Sequence, residues 1–498
     1  MLIQLAGSEP LYQQIYEALK QKILTGELQR GSKMPSSRTL ANDLCVSRNI
    51  VLIAYDQLIA EGYVESRQGS GTYVAAIPDD FLNSKATPPL LKPGLPVAPR
   101  LSSYAERIGT TFLQLARRAV PRPSVKYNFR YGHTAIDLLD QRVWRRLIAR
   151  RTIRSFKAGT FYSEPQGQPE LREALAQYLR IHRGVQCEAE QIVIVNGSQQ
   201  AIDLISRILV NPGDAVVVEE PCYPGTRLSL AALGANIHPI RVDDNGLVTE
   251  ELQSISQPVR LICVTPSHQY PTGSIMQLQR RLELIAFARK AGAFILEDDY
   301  DSEFRYDARP EKAVQGLDPD GRVLYVSTFS KVLFAGLRLG YIVLPKILVD
   351  SLTCAKALSD RNTAVFAQGV LADFMREGHF ERHLRRVRLK VGERRRSLIE
   401  ALTTSFRDNV KIVGENAGVH LLAWLPDVSR EALPAWLERA EQIGVAAYPV
   451  EPCYVKPPRI AGLVLGYASL QPQDIRDGVR LLAKALRPSC GERTGTIR

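Results

Sequence analysis

Several short segments of this chain place reactive or anion-binding side chains at the ends of apolar runs. Thr328-Phe329-Ser330-Lys331 follows the β-rich run Val323–Ser327, and Arg338 lies seven residues further on. A lysine at a strand end in a cleft can form a Schiff base with an aldehyde. The Ser330 hydroxyl and the Arg338 guanidinium beside it would suit a phosphate. Upstream by 33 residues, the run Phe294–Leu296 ends in Glu297-Asp298-Asp299-Tyr300. An acid such as Asp298 beside a pyridinium nitrogen keeps the ring protonated and makes it an electron sink, and a tyrosine such as Tyr300 can bond the ring's phenolic oxygen. Taken separately, the lysine also reads as a solvated side chain, and the acids as a metal site or an exposed turn. Asn196-Gly197-Ser198-Gln199-Gln200 follows the run Ile192–Val195 and opens a helix, so Ser198 and Gln199 stand where backbone N–H groups attract an anion. Tyr223, in Glu220-Pro221-Cys222-Tyr223-Pro224, is an aromatic that could stack on a planar ring or simply pack in a turn.

A second set of residues lies near the amino terminus. Ser47, Arg48 and Asn49 open a predicted third helix, and Arg and Asn are the side chains able to pair bidentately with guanine and adenine. Ser36, Ser37 and Arg38 open the second helix, where hydroxyls, a guanidinium and backbone N–H groups suit phosphates. Arg67, Gln68 and Gly69 lie in the loop between two short predicted strands, Tyr63–Ser66 and Thr72–Ala75.

The elements that must position these groups follow from periodicity. Leu11, Ile15, Leu19 and Ile23 recur every four positions, which predicts an amphipathic helix ending at Thr25-Gly26. Pro35 and Ser36-Ser37 start a second helix through Leu40 and Leu44. Ser47 is expected to cap a third, carrying Ile50, Val51, Ala54, Leu58 and Ile59. Three helices and a hairpin wing form a winged helix-turn-helix, whose third helix enters the major groove. Residues 1–75 carry seven bases and seven acids, so any DNA binding rests on placement, and two modules per site are expected. Eight prolines in residues 77–124 mark a linker, within which Leu101–Val120 has room for a short helix. Beyond it, the runs Ile192–Val195, Ala215–Glu219, Leu261–Thr265, Phe294–Asp298, Val323–Ser327 and Tyr341–Leu344 alternate with helical segments. That alternation predicts an α/β domain with a largely parallel sheet. After about residue 352, a long Arg-rich helix over Phe380–Leu402 and strands near Val419–Trp424 and Leu463–Ala468 suggest a smaller α+β lobe. The organisation read from the sequence is therefore a reader at 9–76, a linker at 77–124, and a domain at 125–490 whose large subdomain spans about 160–350 and whose small lobe spans about 352–490.

Composition agrees with a folded chain of about three domains: 498 residues, 45% hydrophobic and 23% charged. The net charge of +12 allows an anionic partner. Seven scattered cysteines without a CxxC pair exclude a disulfide framework and point to a reducing cytoplasm. No apolar run approaches the roughly 18–20 residues of a membrane span. The start lacks the layout of a signal peptide.

The stretch PSSRTLANDLCVSRNIVLIAYDQLIAEGYVESRQGSGTYV resembles the DNA-binding domain of the GntR family of bacterial transcription regulators. From about Tyr127 to Leu486 the chain resembles the fold-type I aminotransferases, which bind pyridoxal 5′-phosphate (PLP). The likeness includes Tyr162-Ser163-Glu164-Pro165-Gln166-Gly167 and the segments above. It implies Lys331 as the Schiff-base lysine, Asp298 as the pyridinium partner, Tyr300 as the phenolic-oxygen partner and Tyr223 as the stacking aromatic. Ser198, Gln199, Ser330 and Arg338 match the phosphate cradle. Two departures stand out. Tyr270-Pro271-Thr272-Gly273 replaces the family's Asn-Pro-Thr-Gly, and Gly462–Ala468 lacks the late-strand arginine that clamps a substrate carboxylate. Arg459 is the nearest substitute for an effector contact, and His268, in the same pocket region, reads as a structural hydrogen-bonder or as an acid-base group toward the effector. No metal ligand set is expected.

The whole chain resembles the MocR subfamily, to which SHQYPTG, EDDYDSEFRY and the run GHFERHLRRVR at 378–388 also point. That resemblance implies a PLP-binding transcription regulator, with an amine, an amino acid or PLP as effector and a head-to-tail homodimer on repeated DNA half-sites. The alternative is a working transaminase with a fused DNA-binding module, which the missing Asn and Arg disfavour.

Overall fold

A computed structural model describes residues 3, 5, 8–76, 100–109, 125–158, 162–306 and 311–486. The chain divides into two compact units, 1–100 and 101–498.

The first unit is three helices, Leu11–Leu24, Ser37–Asp43 and Arg48–Ala60, followed by an antiparallel hairpin of Val64–Arg67 with Gly71–Val74. The four-residue spacing works as expected, since Ile15, Leu19 and Ile23 have no exposed surface and pack with Leu40, Val51, Leu58, Val64 and Val74. Ser36 caps the second helix, its hydroxyl accepting from the Thr39 N–H at 3.1 Å. Ser47 sits at the N-cap of the third helix, but its hydroxyl makes no capping bond.

In the second unit an eight-stranded sheet has the order Ile192–Val195, Gly340–Val343, Val323–Thr328, Phe294–Asp298, Val259–Val264, Ala215–Glu220, Asn236–Asp243, Gly246–Leu247. Gly340–Val343 and Gly246–Leu247 run antiparallel to their neighbours; the other six strands share one direction. Helices cover both faces. Ser198–Leu209 and Lys346–Asp360 bury Ile202, Ile205 and Leu352 against Val193, Val216 and Val218. On the other face, Leu278–Ala291 packs Leu284 and Ile285 against Val217, Ile262 and Ile295. Burial on both faces is why these strands read as continuous apolar runs. The strand Asn236–Asp243 was not read from sequence; it carries Pro239 and is buried only at Ile240, so it lacks that signature.

The sheet is largely parallel as read from the sequence, and within it the antiparallel pairing of Gly340–Val343 brings Gly340 beside Gly197. A Cβ on Gly340 would stand 2.8 Å from the Ser327 carbonyl oxygen and 2.9 Å from Gly197 Cα, so only glycine lets these backbones meet.

The small lobe is a four-stranded antiparallel sheet in the order Lys411–Val413, His420–Ser429, Ile460–Gly466, Tyr448–Pro449. The 28-residue helix His379–Phe406 and the helix Pro472–Leu486 cover it. Most of the proline-rich segment 77–124 lies outside the described residues. Within it, residues 103–109 are helical, and Arg107 donates to the Ala232 carbonyl at 2.9 Å, so this part of the predicted linker packs on the large domain.

Because Leu19 is fully buried in the reader unit alone, Leu19→Ala should destabilise that unit by about 2–5 kcal/mol. Differential scanning calorimetry of the full chain should then show a lowered reader transition and an unchanged one for the larger unit; a shift of both would contradict separate cores.

Candidate functional site

The six like-directed strands deliver their carboxyl ends to one edge of the sheet, where ligands of open α/β sheets bind. Asp298 ends its strand, Thr328 ends the neighbouring one, and Asn196 follows Ile192–Val195. The loop Arg130–His133 faces them. Together with Tyr223, Tyr270, Tyr300, Lys331 and Arg338 these residues enclose a cavity of about 440 Å³. A larger groove of about 1480 Å³, lined by Arg241, Glu251, Lys411 and Trp424 among others, contains none of the predicted cofactor residues.

Strand alternation sorts the acidic cluster. Glu297 points away from the cavity and accepts from the Val314 and Gln315 N–H groups at 2.8 and 2.9 Å. Asp299 pairs with Arg183 at 2.9 Å, both side chains almost fully buried, and also accepts from the Ser302 hydroxyl at 2.9 Å and from Tyr325. Only Asp298 of these three lines the cavity. Burial, and secondarily the Asp299 charge, push its carboxyl up to about 7, while Lys331 pulls the other way. Its Oδ1 is buried with no hydrogen-bond partner. A buried carboxylate oxygen without a donor calls for one, and a pyridinium N–H is a donor of the right kind.

Lys331 lines the same cavity. Its ammonium lies 4.1 Å from the centre of the Tyr131 ring, within cation–π range. Burial lowers it to about 8, opposed by the carboxylates of Asp301 and Asp298. A lysine so lowered holds a larger share of neutral, nucleophilic amine near pH 7 than an exposed one does. Tyr131, Tyr223 and Tyr270 wall the space around it, with Tyr131 and Tyr270 centred 4.7 Å apart and Tyr223 edge-on to Tyr270 at 5.8 Å.

The predicted phosphate residues also converge. Gly197, at φ +87°, is the N-cap of the helix Ser198–Leu209 and turns its first N–H groups toward the cavity. The Arg338 guanidinium lies against Gly197 and donates to the Asn196 carbonyl at 2.5 Å. Arg338 itself adopts a left-handed backbone at φ +52°, a conformation uncommon outside glycine and found at constrained sites. Ser330 is within 3.0 Å of the Thr328 hydroxyl, and both line the cavity. Gln199 lines it too, but its side-chain amide is committed to Ser229 at 2.8 Å, leaving its backbone as the group for an anion.

Two sequence-predicted residues are not brought to this cavity. Arg459 is exposed and does not line it. His268 is 2% exposed and does not line the cavity either. Its Nδ1 lies 3.1 Å from both Asp301 oxygens and from the Tyr300 hydroxyl, and that hydroxyl donates to the His268 carbonyl at 2.9 Å. The imidazole supports Tyr300 from behind, and the tight turn Pro266–Tyr270 presents Tyr270 to the cavity instead. Ligating atoms of His268, Asp301 and His420 lie within 4.8 Å of one another, but His420 Nε2 is bonded to the Pro271 carbonyl at 3.2 Å and His268 Nδ1 to Asp301. Sequence reasoning missed Arg130, Tyr131 and His133. The only local sign of these three is an aromatic residue and a glycine in a loop, which says nothing about its neighbours.

In the reader unit, Ser36, Arg38, Ser47, Arg48, Asn49, Arg67, Gln68 and Gly69 are exposed, and Ser37 is half-buried. Arg48 Nε donates to the Ser37 hydroxyl at 3.2 Å, joining the starts of the second and third helices. Arg67 is paired with Glu65 at 2.6 Å and stacked on Tyr73 at 4.5 Å, which holds it along the wing.

A helix-turn-helix reader joined to an aminotransferase-type domain defines a class of DNA-binding transcription regulator. Family models agree: "Bacterial regulatory proteins, gntR family" matches residues 11–74, and "Aminotransferase class I and II" matches residues 129–478. The chain is 38% identical over 476 residues to the probable rhizopine catabolism regulatory protein MocR of Rhizobium meliloti, covering 96% of this chain and 94% of that protein. It belongs to the MocR-type GntR regulators. Among solved structures, the kynurenine aminotransferase of Pyrococcus horikoshii in complex with PMP is 29% identical with a TM-score of 0.68, covering 78% of this chain and 95% of that one. The α-aminoadipate aminotransferase LysN of Thermus thermophilus, complexed with N-(5′-phosphopyridoxyl)-L-leucine, is 26% identical with a TM-score of 0.70, covering 78% and 97%.

The raised Asp298 carboxyl has a consequence for the cofactor-free protein. The folded state keeps this proton up to about pH 7, whereas an unfolded aspartate loses it near pH 4. Folding therefore loses stability as pH rises from about 4 to about 7. Melting temperatures of wild type and Asp298→Asn measured across that range should diverge in favour of the variant with rising pH; parallel curves would contradict a raised carboxyl.

Proposed function

We propose that this regulator holds PLP at Lys331 and reads an amine or amino acid, or PLP itself, through the same cavity. The observation that carries the reading is the unpartnered, buried Asp298 oxygen together with a lysine of lowered basicity in a single cavity. PLP supplies an aldehyde that condenses with amines and an electron-withdrawing ring. In this reading Lys331 provides the amine for covalent attachment, Asp298 holds the ring nitrogen, and Tyr300 meets the ring oxygen. Tyr223 packs on the ring. The N–H groups of Ser198 and Gln199, the Ser330 hydroxyl and Arg338 hold the phosphate. Arg130 is a further cation on the cavity wall, suited to an anionic group of the effector.

The reader unit would place Ser47, Arg48 and Asn49 at base edges and Ser36, Ser37 and Arg38 on phosphates, with Arg67, Gln68 and Gly69 of the wing on the backbone or minor groove. We further infer a cytoplasmic, head-to-tail homodimer whose two readers bind repeated half-sites. A ligand shifts its arrangement only by binding the two arrangements unequally, and DNA must then alter ligand affinity by the same factor.

The competing reading is catalytic transamination. Retention of Lys331, Asp298 and Tyr300 favours it. Tyr270 in place of asparagine, and a strand Ile460–Gly466 without arginine, favour the regulator.

Absorption spectra of purified protein with added PLP test the cofactor. Wild type should develop a band in the ~400–430 nm region that Lys331→Ala lacks, and the band should shift with the effector amine. Operator gel shifts at fixed salt should then differ with PLP and that amine. Identical DNA affinities in all conditions would end the coupling, and steady turnover of an amino donor with a keto acceptor would favour the transaminase.

A further inference from the structure

The helix Lys346–Asp360 ends beside the turn that opens the phosphate site. Lys356, one turn before its end, has no exposed side-chain surface and donates to Asp360 Oδ1 at 2.7 Å. The other Asp360 oxygen accepts from Asn196 Nδ2 at 2.7 Å and from Gln200 Nε2 at 2.8 Å. Gln200 in turn accepts the Asn196 backbone N–H on its side-chain oxygen at 2.7 Å. The Asn196 carbonyl receives the Arg338 guanidinium. One carboxylate thus gathers the side chains of Asn196 and Gln200, before and after the Gly197 N-cap.

Burying an ammonium costs stability unless it is well paired, and an apolar residue at position 356 would pack the same helix face without that cost. What the ion pair adds is direction. With one oxygen committed to Lys356, the other is aimed at the turn Asn196-Gly197-Ser198. Gln200 is drawn onto the Asn196 N–H and away from the helix N–H groups that face the cavity.

We propose that Asp360, held by buried Lys356, is a positioning residue for the phosphate cup: through Asn196 and Gln200 it fixes the N-terminal turn of the helix Ser198–Leu209 and the Arg338 guanidinium so that both converge on one anion. The inference rests on the PLP reading above and adds to it a site outside the cavity that governs affinity for the phosphate alone.

Comparing PLP with pyridoxal, which shares the ring and aldehyde but lacks the phosphate, isolates that contribution. The cofactor-free full chain is titrated with each compound by absorbance, for wild type, Asp360→Asn and Gln200→Leu. Gln200→Leu leaves the Lys356–Asp360 pair intact and so tests the same link without a buried unpaired charge. Both variants should weaken PLP about tenfold, the size expected on losing a charge-assisted hydrogen bond, with pyridoxal affinity unchanged. If both variants keep the wild-type ratio of PLP to pyridoxal affinity, the positioning role is overturned and the PLP reading stands. A wild type that takes up neither compound overturns the PLP reading and this inference with it.

Discussion

A carboxylate held out of water at the end of a strand is expensive unless something cationic faces it, and the large domain is arranged around one such group. Asp298 lies at the carboxyl edge of the sheet with an oxygen that no protein donor reaches. Lys331 lines the same cavity and acts as the counter-charge of Asp298. The neighbouring acids have partners of their own, Glu297 in backbone N–H groups and Asp299 Oδ2 in Arg183, while Asp299 Oδ1 is, like Asp298 Oδ1, buried without a donor among the described residues. The elements that line the cavity bring Lys331, Arg338 and Arg130, a tyrosine wall and the start of the helix Ser198–Leu209 to one space with Asp298. A protein built this way is poised for a cationic heterocycle with an anionic tail, and pays for the readiness with a carboxyl group it would otherwise bury neutral.

The anion-facing end of the cavity depends on close backbone contact rather than on charge count. Gly340 and Gly197 meet where a Cβ on either would collide or strain, and this contact lets the antiparallel strand Gly340–Val343 carry Arg338 back onto the helix start. The network of Asn196, Gln200, Asp360 and Lys356 braces the same turn from outside the cavity. Phosphate recognition is thus a property of three elements meeting, of which only the helix start carries a local signature.

The reader unit obeys different physics. Its core is a small set of fully buried aliphatic residues, and its exposed basic residues are few and placed. The Arg48–Ser37 bond joins the two helix starts, so the side chains suited to bases and those suited to phosphates are mechanically linked. With no net charge to draw it to DNA, such a module gains from being doubled and from fixed geometry, which is consistent with a domain whose other half can set the spacing of two copies.

Much of this was legible in the residues themselves. The four-residue periodicity of the reader's first helix and the continuous apolar runs of the parallel strands report burial directly, so those elements follow from the sequence alone. Lys331, Asp298, Tyr300, Tyr223 and the Ser198 helix start were recognisable because each sits at a strand end or helix start that itself has a pattern. The strand Asn236–Asp243 was not legible, because half-exposure and Pro239 erase the apolar run. Nor was the direction of Gly340–Val343, since a short strand reads the same either way. Arg130, Tyr131 and His133 carry no local sign of their neighbours. Arg459 and His268 do not line the cavity, because nearness in sequence says nothing about which way a side chain leaves a turn. Sequence determines what is buried and which groups can react. Only the tertiary structure decides which of them share a cavity, because that depends on how distant backbones are brought together and not on any local pattern.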